Sequence, residues 1–494
     1  MFDFWRINKK VRQGINYNIT GKLSAKNMRK ILGDSSDIIE KRIYVNNENN
    51  FDLVVFAIDG MIDTNIVDDH ILKPLATEEV VSRAKSEKDL YKMVVDGILY
   101  HVDQDEVDTI DKAIENVLKG FTILVFNSIG KAISFDAKKL YGRSVDTPKN
   151  EGILKGSQEA FVENIRTNTS LIRKKIKVPN LRFKSMTVGK KTWTAVDVVY
   201  IDGVTDTDIL DKVIKKIENL EADNLISSMA FSENMRDSKY SLFPQILSTE
   251  RVDKFCANLV DGKVGIIIDG LALGYIAPGV FSMFLQAPED YADNYFISSF
   301  IRILRYLCLI ITLILPGFYI AITTFHQEMI PTNLLFSIIN SKVGVPFPTV
   351  FSVLGMLIAF EILLEASLRL PKSIGATISI IGGLVVGEAA VSAKLISPAV
   401  VVAIAATGIA GFVIPSQYLS NALRICRLFL VLCASVAGLF GLSIGFIIIM
   451  YHLCSLEVFG VPYMVPYTSN EGKSLFRDTF VRLPENKENN DVQN

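Results

Sequence analysis

Phe300–Thr323 reads FIRILRYLCLIITLILPGFYIAIT, and this stretch decides the architecture. At 1.5 Å per residue a helix of this length spans the ~30 Å of bilayer hydrocarbon. Its only charges, Arg302 and Arg305, lie near its start. Further apolar runs follow at Phe347–Glu365, Ile374–Ala393, Ser397–Ile414 and Ile425–Leu453, with a polar loop at Phe325–Pro346 holding a short amphipathic piece, Leu334–Ile339. They predict a helical membrane region of four to five spans over residues 299–467. Five spans put the tail, residues 468–494, opposite the N-terminus. Four spans with one re-entrant run keep both on one side, as the basic tail residues Lys473, Arg477, Arg482 and Lys487 suggest.

Everything before Ser299 reads as water-soluble. The N-terminus, MFDFWRINKK, has neither the apolar core nor the small-residue cleavage site of a signal peptide, so this part is expected to stay in the cytoplasm. Arg302 and Arg305 agree with that orientation.

The soluble part contains a tandem repeat. Phe51–Thr64 (FDLVVFAIDGMIDT) matches Ala195–Thr207 (AVDVVYIDGVTDT), placing Ile58-Asp59-Gly60 on Ile201-Asp202-Gly203. At nearly the same offset, Gly120–Ser134 (GFTILVFNSIGKAIS) matches Gly262–Ile276 (GKVGIIIDGLALGYI). In each, two β-rich runs flank a turn, Asn127-Ser128 or Asp269-Gly270. Helical stretches fill the intervals: Ile66–Lys88 and Glu106–Leu118, then Asp208–Asn219 and Ser248–Leu259. Each copy reads as a strand, helices and a hairpin, giving α/β modules at 1–150 and 151–298. Gly156–Val178 reads as a connecting helix between them.

Composition narrows function. The 494 residues carry a formal net charge of −1, and mean hydropathy is +0.31. No basic face exists to release counterions from nucleic acid. The five cysteines form no CxxC pair, and the four histidines are dispersed, so neither metal nor disulfide is expected. No nucleophile elbow or phosphate-binding loop appears, so no catalytic role, cofactor or metal is expected. The Asp-Gly turns read as strand-end turns.

Acids inside apolar runs stand out, because charge in hydrocarbon costs several kcal/mol unless it meets a cavity or a partner. Glu361, Glu365 and Arg369 recur every four residues on one helical face. They read either as an ion path lined by Glu361 and Glu365, or as a structural Glu365–Arg369 pair. Glu388, within GGLVVGEAA, is the third candidate. Small residues at Gly375, Ser379, Gly383 and Gly387, with Gly441 and Gly445 later, predict close helix packing.

Several long segments resemble the A subunit of GerA-type spore germination receptors. They are Leu315–Leu335 (LPGFYIAITTFHQEMIPTNLL), Glu361–Pro398 (EILLEASLRLPKSIGATISIIGGLVVGEAAVSAKLISP), Ile414–Arg427 (IPSQYLSNALRICR) and His452–Tyr467 (HLCSLEVFGVPYMVPY). Ile58–Leu75 and Gly156–Lys177 resemble that family's soluble signatures. The resemblance implies a spore inner-membrane protein acting with a transporter-like B subunit and a lipoprotein C subunit. Nutrient germinants are then sensed mainly through the B subunit. The A subunit is expected to oligomerise into a gated ion channel that starts cation release. The alternatives are a SpoVAF-type accessory germination protein, or a cytoplasmic ligand sensor on a passive anchor.

Overall fold

The structure, a computed structural model, describes residues 21–43, 45, 51–77, 81, 84–99, 103–139, 147–148, 151–152, 156–220, 227–369, 387–468 and 479–482. They fall into two compact units, one mainly Met1–Lys239 with Ile246–Pro278, the other mainly Tyr240–Gln245 with Gly279–Glu485.

The first unit holds two five-stranded antiparallel sheets. The first contains β1 (Ile38–Ile43), β2 (Leu53–Ile58), β3 (Gln104–Val107), β4 (Thr122–Phe126) and β5 (Lys131–Phe135), in spatial order β1-β2-β4-β5-β3. The second contains β6 (Leu181–Val188), β7 (Thr194–Ile201), β8 (Leu247–Thr249), β9 (Val264–Ile268) and β10 (Gly274–Ala277), in order β6-β7-β9-β10-β8. The connectivity is the same in both. The strand-and-hairpin landmarks of the sequence are the three central strands of each sheet. Every residue of β2, β4 and β9 is buried, which explains their unbroken apolar runs. The outer strands were not legible. Glu106 and Ser248, expected to open helices, lie inside β3 and β8, and the helices begin a few residues later.

The longer helices of this unit are α1 (Ala25–Leu32), α2 (Glu87–Val95), α3 (Ile110–Leu118), α4 (Ile165–Lys175), α5 (Thr207–Glu218) and α6 (Val252–Val260). The segment expected to be a linker helix is α4. It precedes β6 as α1 precedes β1, so it is the opening helix of the second module. One bond ties each opening helix to its hairpin turn. Asn127 Oδ1 accepts from Ala25 N at 2.7 Å, and Asp269 Oδ1 accepts from Ile165 N at 3.1 Å. Asp63 and Asp206 likewise cap the helices that follow β2 and β7. These turn acids therefore serve the backbone.

A buried ion pair joins the modules. Arg173 on α4 donates to both carboxylate oxygens of Asp37, at 2.9 and 3.0 Å, and to the Leu181 carbonyl. Both side chains are 1% exposed. Ser36 N donates to Phe183 O beside it.

The second unit is built on α7 (Tyr295–Thr324), α8 (Thr332–Lys342), α9 (Thr349–Arg369), α10 (Pro398–Phe412) and α11 (Gln417–Ser455). Its core gathers Tyr319 and Ile320 of α7, Val353 and Leu357 of α9, Val400 and Ile404 of α10, and Val431 of α11. Glycines permit close approach: a Cβ on Gly408 would stand 2.4 Å from Phe360 Cζ, and one on Gly317 2.9 Å from Leu442 Cδ1.

By length and composition α7, most of α9 and α11 can cross a membrane. The last apolar run, expected as one long span, is two helices. Ala437 (φ −134°, ψ 22°) and Gly438 (φ 57°, ψ −135°) break α11. A Cβ on Gly445 would lie 2.9 Å from Leu430 Cδ2 and 3.3 Å from Cys433 Cβ. In a straight helix residues 430 and 445 would be about 22 Å apart. The chain therefore folds back at Gly438 into an antiparallel pair, residues 417–436 and 439–455, about 30 and 25 Å long. The positive φ of Gly438 suits glycine, and Phe325 Cβ sits 2.8 Å from its hypothetical Cβ.

Candidate functional site: carboxylates of the apolar helices

Glu361 lies in the body of α9, facing α11. Its Oε1 accepts from Arg427 Nη2 at 2.6 Å, and its Oε2 stands 3.5 Å from Arg424 Nη1. Arg427 is 3% exposed while Glu361 keeps 29% of its side-chain surface open. Arg427 Nε is buried without a hydrogen-bond partner. Two guanidinium groups against one carboxylate leave excess positive charge in an apolar bundle, where each ion resists losing its partner.

Glu365 sits one turn further on and does not join this cluster. Arg369 donates to it from Nε at 3.0 Å and Nη2 at 2.7 Å, an i,i+4 pair exposed on both sides. Glu365–Arg369 is thus a local pair, and Glu361 points to another helix. Glu388 is exposed on the short helical piece that follows the undescribed segment. Of the small-residue ridge, Gly375, Ser379 and Gly383 lie outside the described residues. At Gly387 an added Cβ would meet only Val401 Cγ1, at an ordinary 3.8 Å. Gly441 and Gly445 occupy the hairpin, and a Cβ on Gly441 would collide with the Cys433 carbonyl.

A second charged cluster was not read from the sequence. Asp290, 2% exposed, accepts from Arg302 Nε at 3.0 Å and Arg305 Nη1 at 2.6 Å. The two arginines taken as orientation signals are thus buried partners of an acid just before α7. The returning chain meets them. Arg482 donates from Nη1 to the carbonyls of Asp290 and Asp293, its N–H donates to Ser299 Oγ, and the Tyr306 and Tyr467 hydroxyls are hydrogen-bonded. Residue 482 therefore lies at the same end of the bundle as the start of α7, which the fold-back at Gly438 makes possible. Among the described residues no group of three or more His, Cys, Asp or Glu could hold a metal. The five cysteines are free thiols.

The two units define an α/β region followed by a polytopic helical membrane region. The family described as Bacillus/Clostridium GerA spore germination protein matches residues 26–493. The chain belongs to the GerA family of spore germination proteins. Spore germination protein KA of Bacillus subtilis is 35% identical over 92% of this chain and 83% of its own length. GerLA of Bacillus cereus is 32% identical over 93% and 92%. The uncharacterized membrane protein YfkQ of Bacillus subtilis is 36% identical over 87% and 83%. Among solved structures, the N-terminal domain of the A subunit of the Bacillus megaterium spore germinant receptor GerK3 matches with 24% identity and a TM-score of 0.41, covering 53% of this chain and 96% of that one.

Proposed function

We propose that this chain is the A subunit of a nutrient germinant receptor in the spore inner membrane, with its α/β region in the cytoplasm. Copies of it assemble into a gated ion channel whose opening starts cation release. It acts with a transporter-like B subunit and a lipoprotein C subunit, and carries no catalytic activity. Family membership supports the role in germination. The observation that carries the ion path is Glu361: a carboxylate within an apolar helix, held by two arginines yet partly open at the chain's surface. As it stands the two arginines outweigh the acid, so Glu361 would attract cations and replace part of their hydration only once gating draws an arginine away.

The test is Glu361→Gln, which keeps the shape and removes the charge. Potassium release per unit of immunoblotted protein is expected to slow after germinant addition. Normal release at normal abundance would sink the ion-path role. The bond to Arg427 favours one second reading, in which Glu361 only fastens α9 to α11. In that case the variant lowers abundance, and release falls in proportion.

A further inference from the structure

The turn between β6 and β7 has a composition that the fold does not require. β6 is an edge strand. Its exposed Lys184 and the exposed turn lysines Lys190 and Lys191 suit an edge, where charge deters strand pairing with other chains. Trp193 does the opposite. It is 77% exposed in the same turn and presents the largest side chain available to solvent. From Lys184 to Trp193 the sequence KSMTVGKKTW contains three lysines and no acid.

The turn is built rather than loose. Trp193 N donates to Gly189 O at 3.3 Å, and the Thr194 and Thr192 hydroxyls are bonded at 3.0 Å. Two residues take left-handed backbone, Gly189 (φ +96°) and Trp193 (φ +46°). Glycine does so freely; for a bulky aromatic the conformation is costly. A strained residue that holds a large apolar ring in water points to a surface that the ring meets.

We propose that the Lys190-Lys191-Trp193 turn docks on an anionic lipid surface. The indole would sit at headgroup level and the lysines against lipid phosphates. A bilayer is the occupant because the same chain continues into apolar membrane-crossing helices. A tryptophan beside clustered lysines is also the composition that partitions to a bilayer interface. The inference concerns the α/β region and does not depend on whether the chain conducts ions.

The chain has two tryptophans, so Trp5→Phe leaves Trp193 as the only indole emitter. The full-length variant is reconstituted into vesicles of phosphatidylcholine alone or with phosphatidylglycerol, with and without brominated acyl chains. The expected result is a blue shift and a loss of Trp193 emission on bromination when phosphatidylglycerol is present. Lys190→Gln with Lys191→Gln is expected to abolish that loss. Should Trp5→Phe accumulate poorly, the difference between wild-type and Trp193→Phe spectra isolates the same signal. Emission unaffected by bromination in both lipid mixtures overturns the proposal. Free quenching by acrylamide would then mean that the ring stays in water, and protection from acrylamide that protein covers it.

Discussion

Glu361 and Arg427 are 66 residues apart in the chain and 2.6 Å apart in space. Arg427 is almost wholly enclosed. Removing one partner of an enclosed pair costs more than removing both, because the survivor keeps its charge without compensation. Glu361→Leu is therefore expected to reduce membrane abundance, and Arg427→Leu to reduce it less, since Arg424 stays beside Glu361. The Glu361→Leu, Arg427→Leu double variant should recover part of the loss. A double-mutant cycle on immunoblot abundance reads this directly, and additive losses would show that the pair is not coupled.

The fold-back at Gly438 is open to a chemical ruler. Cys433 lies against residue 445, at a Cβ separation close to the 3.5–4.5 Å that a disulfide accepts. In a Gly445→Cys variant the introduced thiol is expected to bridge to Cys433 on mild oxidation, identified by peptide mass. An unbroken helix would hold these two positions about 18 Å apart, and no bridge could form.

Gly438 itself should tolerate little. A side chain there meets both positive φ and Phe325, so strain of about 1–3 kcal/mol adds to the clash. Gly438→Val is expected to lower accumulation sharply, whereas Gly387→Ala, whose Cβ would make an ordinary 3.8 Å contact with Val401, should not. Equal accumulation of the two variants would contradict the hairpin.

In the soluble unit, Arg173→Met strands the buried Asp37 carboxylate. The expected loss is about 3–5 kcal/mol, read as an earlier denaturation midpoint for the α/β region. Arg173→Met with Asp37→Leu should restore part of it. A midpoint unchanged by Arg173→Met alone would mean that the modules are joined by other contacts.

Asp197 is the unusual residue of the second sheet. The repeat places it where the first module has the buried Val54. Burial pushes its pKa above the ordinary carboxylate value, outweighing the Ser185 hydroxyl and the Arg166 guanidinium 3.9 Å away. Asp37 and Asp269 add to the rise. Folding thus favours its neutral form. The stability this contributes is complete below the unfolded value of about 3.9 and is lost as pH rises through the raised folded value. Asp197→Asn should therefore make β7 more protected than wild type at neutral pH, with the difference closing in acid. Hydrogen exchange, corrected for its intrinsic pH dependence, measures this. A difference that stays constant with pH would rule out titration of Asp197.

The sequence disclosed what is periodic or local. β2, β4 and β9 read as apolar runs because they are inner strands, with neighbours on both sides. β1, β3, β6 and β8 are outer strands, and stretches such as Gln104–Val107 alternate too weakly to separate from a helix start. The Glu365–Arg369 pair was legible because four residues make one helical turn. Glu361–Arg427 and Asp290–Arg302–Arg305 depend on tertiary placement, and no spacing rule links their members. The break at Gly438 hid inside an apolar run for a related reason: a turn placed within lipid-compatible sequence needs no polar residue to announce it.

The paired bonds Ala25–Asn127 and Ile165–Asp269 carry an evolutionary consequence. After the ancestral unit was copied, the turn residue diverged, amide in one half and acid in the other, while the atom that reaches the helix stayed an oxygen. The far branch is shared less evenly, because Asn127 Nδ2 also donates to the Asp52 carbonyl at 3.1 Å, a bond only an amide can make. Exchanging the two residues, Asn127→Asp with Asp269→Asn, should then disturb the first half, where a carboxylate would face the Asp52 carbonyl, and spare the second.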